Sequence, residues 1–429
     1  MRLYDTLTRS AVELPPPPAR IGMYVCGPTV YQRAHIGNAR PFVVFSWLRN
    51  WLRERGYETR FVHNITDVND KIYEAAPGRS AERAAEATRW YLEDTEAFGL
   101  GMPDALPRAT ETLPEIIAFV EELVAGGHAY AAGGDVYFRV SSFPSYGRLS
   151  NNRPEEMRDE EPSPFKEDPR DFALWKATKE GEDTAWDSPW GRGRPGWHIE
   201  CSAMAEKELG PEFWIHGGGV DLVFPHHENE RAQSNAAGRP FARLWMHNGL
   251  LRFTGEKMSK SLGNVATIRE VLDEWGREAA LLFFLTAHWR KPIDFSEETM
   301  AAASEQVERF RNTFRHRPPR VGSTYPWKAF VEALDDDFNT PQALSILNSW
   351  RAHGFLDELE RGLDIFGLGD LVRDQAAPIS VHELARRRLE ARGRKDFAEA
   401  DRIRDEISAL GWEVRDVSAE PGYKLVPVA

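Results

Sequence analysis

Two hydrophobic rhythms run along the chain. Between Pro41 and Arg55, Val44, Leu48, Trp51 and Leu52 fall at i, i+4, i+7 and i+8, one face of a helix. Phe45 and Trp47 widen that face, and Gly56 ends it. Before it, Ile21–Cys26 is a short apolar run closed by Gly27-Pro28, which reads as a buried strand. After it, Thr59–Ile65 reads as a second strand. Strand, loop, helix, strand is the βαβ opening of a nucleotide-binding parallel sheet. The four prolines at 15–18 admit neither helix nor central strand and mark a loop.

From 101 to 190 the rhythm changes. Tyr130, Val136, Tyr137, Phe138 and Val140 suggest short strands with a hairpin near Gly133-Gly134. Residues 155–168 hold seven acids and two bases, a solvated segment. The main fold resumes near Trp197, with a helix predicted over about Ser202–Leu209 and a strand over Glu212–His216 that runs into Gly217-Gly218-Gly219. Beyond 300 the pattern is helical: Ala301–Arg315, Trp327–Leu334, Thr340–His353, Gly354–Leu363, then Ser380–Arg392 and Phe397–Leu410. The fold class expected is α/β: a Rossmann-like parallel-sheet catalytic domain with an insertion, followed by a helical bundle and a small C-terminal domain. The expected limits are 1–100 with 191–248 for the sheet domain and 101–190 for the insertion. Residues 249–300 form a connecting region, 301–375 the bundle and 376–429 the C-terminal domain.

Composition narrows the classes. The 429 residues exceed one core, and 14 Trp with 23 Phe argue against a disordered chain. No apolar run reaches membrane-spanning length, and no secretory signal opens the chain. Two cysteines make no disulfide framework and fit a reducing cytoplasm. A net charge of −13 argues against a chain coated in nucleic acid, although one basic face remains possible. Residues 381–395, with six bases and two acids, are the candidate for it.

Three groups of residues carry candidate chemistry. His35-Ile36-Gly37-Asn38 stands between the first strand and the first helix, where free N–H groups and a positive dipole end face phosphates. His35 and Asn38 are donors there, and Gly37 permits close approach of a nucleotide. Lys257-Met258-Ser259-Lys260-Ser261 offers two cations to a pyrophosphate leaving group. His226 and Glu230 share a helical face at i, i+4, as His227 and Glu230 do at i, i+3. With Cys26 and Cys201 either pair makes a Zn²⁺ set, and spacing alone leaves the choice open.

Taken together these residues resemble the cysteinyl-tRNA synthetase family over nearly the whole chain. Met23–Tyr31 with His35–Asn38 resembles its N-terminal signature, and Asn64–Ile72 its second strand and turn. Gly196–Met204 and Gly217–Glu230 resemble its zinc region, and Lys257–Ser261 its second signature. Asp335–Pro341 resembles a helix start in its bundle and Lys395–Arg404 its C-terminal module. The resemblance implies Cys26, Cys201, His226 and Glu230 as zinc ligands, one Zn²⁺ per subunit, and so selects His226 over His227. It implies Thr66 and Trp197 in the cysteine pocket. It implies His35, Gly37, Asn38 and Lys260 at ATP, with His35, Asn38, Lys257 and Lys260 as the catalytic set and Mg²⁺ on the phosphates. His216, Gly218 and Asp221 are weaker candidates for the adenosine or amino-acid pocket.

The partners so implied are L-cysteine, ATP and tRNA(Cys), for a cytoplasmic monomer with no membrane. The reaction implied is cysteinyl-adenylate formation followed by transfer to the tRNA 3′ end. Three departures stand out. Asn38 replaces a frequent histidine, Asn69 a common aspartate, and the tail Pro421–Leu425 lacks a tryptophan. A ligase joining cysteine to an amino-sugar shares the catalytic core but lacks the anticodon-reading end, which the helices after 380 supply.

Overall fold

The computed structural model describes the chain except residues 153–161, 254–265, 317–326, 373–376, 378, 418–420 and 428–429. It divides into two compact units, Met1–Asp370 and Leu371–Ala429.

The first unit opens with a small hairpin, β1 (Arg2–Asp5) and β2 (Ser10–Glu13). The parallel sheet begins with β3 (Arg20–Val25), continues through α1 (Ile36–Glu54) and returns in β4 (Glu58–His63). Helix α1 starts five residues before Pro41, where the sequence placed its first turn. Tertiary bonds hold that early turn. The Ile36 N–H donates to Ala266 O at 3.0 Å, and the buried Arg40 guanidinium donates to the carbonyls of Gly249, Leu250, His288 and Lys291. Two helices follow, α2 (Asp70–Ala75) and α3 (Ser80–Glu96).

The inserted layer comprises α4 (Leu113–Ala125) and an antiparallel sheet of β5 (Ala129–Ala132), β6 (Asp135–Phe138), β7 (Phe172–Ala177) and β8 (Gly193–Pro195). The hairpin turn at Gly133-Gly134 is there, both glycines at positive φ. Next comes α5 (Trp197–Leu209), five residues longer at its start than the sequence suggested. Ile116, Phe119, Leu123, Phe138, Leu174, Trp175 and Ile199 share one core, which packs the inserted layer on α5.

The parallel sheet is completed by β9 (Glu212–Gly219), α6 (Glu228–Ala236) and β10 (Phe241–Asn248), in the order β10-β9-β3-β4. Consecutive strands β3 and β4 pair on one side, while β3 meets β9 on the other. The chain direction thus splits at the carboxyl end of β3, the point where α/β sheets open a ligand crevice. Short strands β11 (Leu251–Phe253) and β12 (Ile293–Phe295) pair beside it, with α7 (Ile268–Trp275) and α8 (Arg277–Leu285) between them in sequence.

The helical region follows as α9 (Glu297–His316), α10 (Trp327–Asp335), α11 (Thr340–His353) and α12 (Leu356–Ile365). It packs on the back of α1: Trp47 Nε1 donates to Phe366 O and Trp51 Nε1 to Asp335 Oδ1, both at 3.0 Å. The second unit holds α13 (Ile379–Gly393), α14 (Phe397–Ala409) and an antiparallel pair, β13 (Trp412–Asp416) and β14 (Tyr423–Pro427). Val381, Leu384, Ile403, Ile407 and Trp412 form its own core.

Gly217 shows how closely α1 rides on the sheet. A Cβ there would lie 2.1 Å from the fully buried Phe45 ring. Gly217→Ala should therefore lower unfolding stability by about 1–3 kcal/mol, read from the urea midpoint.

Candidate active site and metal centre

Four donors converge at the carboxyl end of β3. Cys26 is the residue after that strand, its N–H bonded to Gly217 O at 2.9 Å. Cys201 sits in the second turn of α5. Because α5 starts at Trp197, Trp197 and Cys201 are i and i+4 and share one face. His226 lies in the turn Val223–His227, and Glu230 one turn further in α6. A ligand atom from each of Cys26, Cys201, His226 and Glu230 lies within 4.8 Å of the other three, and all four residues are buried.

The Cys26 thiol donates to Glu230 Oε1 at 3.5 Å, and His226 Nε2 is 3.2 Å from the same oxygen. His226 Nδ1 is held by His198 Nδ1 at 2.9 Å, which turns Nε2 toward the carboxylate and sulfurs. A partner on the second ring nitrogen is the usual support of a ligating histidine. Trp197 stacks on the other side of the His226 ring, with centroids 4.1 Å apart.

Two further histidines crowd the same carboxylate: His227, the alternative that spacing left open, and His216, which the sequence reading gave only as a weaker pocket candidate. His216 Nε2 is 3.3 Å from Glu230 Oε2 and 3.6 Å from Cys26 Sγ. His227 Nε2 is 3.9 Å from Glu230 Oε1, while its Nδ1 is bonded to His247 Nε2 at 2.8 Å. Cys26, His216, His227 and Glu230 thus form a second, overlapping donor set. The only sequence signal was that His216 ends a strand beside three glycines.

Burial governs the charge of these groups. It pushes the Glu230 carboxyl and the Cys26 thiol well above their ordinary values. It drives the His226 imidazole far down, and His198 and His216 each to about 3. Among the described residues, Glu230 has only histidines within ion-pair distance. Two sulfurs, an imidazole and a carboxylate are a donor set suited to tetrahedral Zn²⁺. A divalent cation here would compensate the buried negative charge that no arginine or lysine meets. Those residues fit the ion.

Beside the cluster opens a cleft of about 350 Å³ whose walls include Cys26, His35, Gly37, Asn38, Trp197, Asp221 and Asn248. His35 caps α1 with backbone only; its side chain makes no capping bond, and among the described residues its buried Nδ1 has no partner. Burial lowers its pKa, with Asp221 opposing, so the ring is neutral at pH 7. Gly37 is required by that ring, because a Cβ would stand 2.9 Å from His35 Cε1 and Nδ1. Asp221, a minor candidate in sequence, is thereby part of the cleft.

Thr66 stands behind the wall rather than in it, fully buried. Its hydroxyl accepts from Asn64 Nδ2 at 3.3 Å, and its backbone bonds Pro28 O and the Val30 N–H. It braces the loop after Cys26. Lys257 and Lys260 lie outside the described residues. The segment that follows them returns to the cleft: Ile36 N–H bonds Ala266 O at 3.0 Å, and Ile268 N–H bonds Ala34 O at 2.9 Å.

In the second unit the basic stretch is partly neutralised. Arg388 and Arg392 both bond Asp416, and Arg386 pairs with Glu390 at 2.5 Å. Among the described residues, no helix is long and apolar enough to cross a membrane.

Comparison with known proteins matches residues 14–305 to the class I (C) tRNA synthetase catalytic domain. Residues 329–350 match the DALR domain, and 374–420 match the cysteinyl-tRNA ligase anticodon binding domain. The chain is 44% identical to the cysteine–tRNA ligase of Geobacillus thermodenitrificans, with 99% of each chain covered. It is 45% identical to that of Halorhodospira halophila, with 97% of each covered. In fold it resembles the methionyl-tRNA synthetase of Mycobacterium tuberculosis bound by methionyl-adenylate (TM-score 0.60, 13% identity, 83% of this chain and 86% of that one). It also resembles the LeuRS of an Agrobacterium radiobacter ternary complex with tRNA and LeuAMS (TM-score 0.59, 12% identity, 84% and 86%).

Both thiols are buried, and burial pushes the Cys26 thiol up, so little Cys26 thiolate forms at neutral pH. Metal-free native protein should react with an aromatic disulfide at pH 7.5 far more slowly than urea-unfolded protein. Equal rates from the two samples would mean that the cluster is open to solvent.

Proposed function

The chain belongs to the cysteinyl-tRNA synthetase family of class I tRNA ligases, and we propose that its buried four-donor cluster selects the cysteine side chain for activation in the adjoining cleft. The activity is ATP-dependent joining of L-cysteine to tRNA(Cys), with AMP and diphosphate as products. The observation that carries the selection is the convergence of Cys26, Cys201, His226 and Glu230, with Cys26 also lining the cleft that His35 and Asn38 line.

Cys26, Cys201, His226 and Glu230 would hold one Zn²⁺ per subunit. When bound, that ion supplies a Lewis acid that favours a sulfur ligand as thiolate and takes an alcohol poorly. Around it, His198 fixes the ring of His226 and Trp197 walls the side-chain pocket. Thr66 serves the cysteine pocket from behind its wall, holding the loop from Pro28 to Val30 in place.

In the first step a cysteine carboxylate oxygen attacks the ATP α-phosphorus, and diphosphate leaves. This needs positioned donors rather than covalent help. The neutral His35 ring and the Asn38 amide donate to phosphate oxygens, and Gly37 keeps the His35 ring folded back. Lys257 and Lys260 serve the departing diphosphate, with Mg²⁺ on ATP. In the second step a terminal ribose hydroxyl of tRNA takes the cysteinyl group and AMP leaves. The domain after 376 meets the anticodon side. We place the protein in the cytoplasm as a monomer.

Purified protein should carry about one zinc per chain by elemental analysis, and Cys201→Ala should lose it. The wild type should charge tRNA(Cys) with cysteine about 10⁴-fold more efficiently than with serine. Ready charging with serine, or amino-sugar preferred over tRNA as acceptor, would refute the reading. Lys260→Ala should slow cysteine-dependent ATP–diphosphate exchange by about 10²–10³-fold with little change in cysteine affinity. Equal losses in both would remove Lys260 from the activation step.

A further inference from the structure

The loop that carries His35 and the segment 266–269 are joined by the backbone bonds described above. They are joined a second time by a side chain from a third element, Asp94 on α3. Its carboxylate is fully buried. Arg33 Nη1 donates to both of its oxygens at 3.0 Å, and Arg269 Nε donates to Oδ1 at 3.0 Å. Arg33 lines the cleft two residues before His35. Arg269 lies in the first turn of α7, two residues after Thr267, which bridges to His35.

The burial is asymmetric. Both arginine side chains keep about a third of their surface in water (34% and 36%), whereas the carboxylate keeps none. The desolvated member therefore sets the geometry of the other two. Charge-assisted bonds to a buried carboxylate are strong, and removing one partner leaves the rest uncompensated. Trp90, also on α3, lies under the Arg33 guanidinium at 5.2 Å and further limits its freedom.

We propose that Asp94 is a positioning residue for the activation step. Through Arg33 it fixes the loop that presents His35 and Asn38. Through Arg269 it fixes residues 266–268 against that loop. The inference rests on the ATP role assigned to His35 and Asn38. Asp94→Asn keeps the shape and one acceptor oxygen but turns an amide N–H₂ toward the guanidinium donors.

The test is cysteine-dependent ATP–diphosphate exchange on the full chain, for wild type, Asp94→Asn, Arg269→Ala and the double variant, each with a melting curve. Misplacing a reacting group by about 1 Å can cost about 10²-fold. Asp94→Asn should accordingly lower kcat by about ten- to hundred-fold while KM for cysteine stays within about twofold. Its Tm should stay close to that of the wild type. Arg269→Ala should lower kcat in the same direction, and the double variant should be no worse than Asp94→Asn, because both remove one tie. An unchanged kcat in Asp94→Asn, multiplying effects in the double variant, or a kcat loss that only tracks the unfolded fraction would overturn the proposal. If Asp94→Asn does not fold, Arg269→Ala and Arg33→Lys carry the same test, and unchanged kcat in both overturns it. A wild type without cysteine-dependent exchange would defeat the functional reading and this inference together; an active wild type with an unaffected Asp94→Asn would remove this inference alone.

Discussion

Glu230 is completely buried beside Cys26, His216 and His226, and the described groups within ion-pair distance of it are all histidines. An ionised carboxylate in such surroundings costs several kcal/mol unless a cation compensates it. Alone, the cluster keeps its protons on sulfur and oxygen and off nitrogen, as the directions of the shifts require. A cation would reverse the first two preferences, drawing protons off sulfur and oxygen, and would use the imidazole nitrogen bare as burial already leaves it. The architecture around the cluster can be understood as the means of holding those donors dry and close.

Three separate pieces of chain supply the four donors, so the fold has to bring them together. The split at β3 delivers Cys26 at a strand end, and α5 delivers Cys201 from one side. The turn before α6 then presents His226 and Glu230 at the spacing of one helical turn. The inserted layer packs its core on α5 through Ile199 and Trp175, which keeps water from that side. On the opposite side of the sheet, α1 takes the helical region through Trp47 and Trp51. The same helix begins at the His35 loop. The helical region thus stabilises the element whose first turn lines the cleft.

Much of this was legible in the sequence. The ends of β3 and α1 were readable because Gly27-Pro28 and Gly56 punctuate apolar runs, and the inserted hairpin because Gly133-Gly134 demands positive φ. Two helix starts were misplaced: the sequence reading began α1 at Pro41 and α5 at Ser202, whereas tertiary bonds to Ile36 and Arg40 and the packing of Trp197 on His226 stabilise earlier ones. Spacing could not separate His226 from His227, and the structure shows why. Both rings reach Glu230, and each has its other nitrogen held by another histidine. His216 was given only as a weaker pocket candidate, because nothing in a strand histidine signals that it meets Glu230 and Cys26. Asp94 escaped because its partners, Arg33 and Arg269, are distant in sequence and only the fold unites them.

In the function proposed above, side-chain selection and phosphate chemistry are linked by one short loop. Cys26 and His35 leave the same strand, and the residues between them are pinned at several points. Gly27 N–H bonds Asn64 Oδ1 at 2.9 Å, Thr66 spans Pro28 and Val30, and Arg33 is held by Asp94. A Cβ on Gly27 would collide with the Asn64 carbonyl, so the loop lies flat against the start of the next turn. A loop held this way cannot shift at the sulfur end without moving the donors at the nucleotide end. Rigid coupling of that kind limits errors in activation: a side chain that fails to seat against the donors leaves its carboxylate out of line with the nucleotide, and small misalignments are costly in rate.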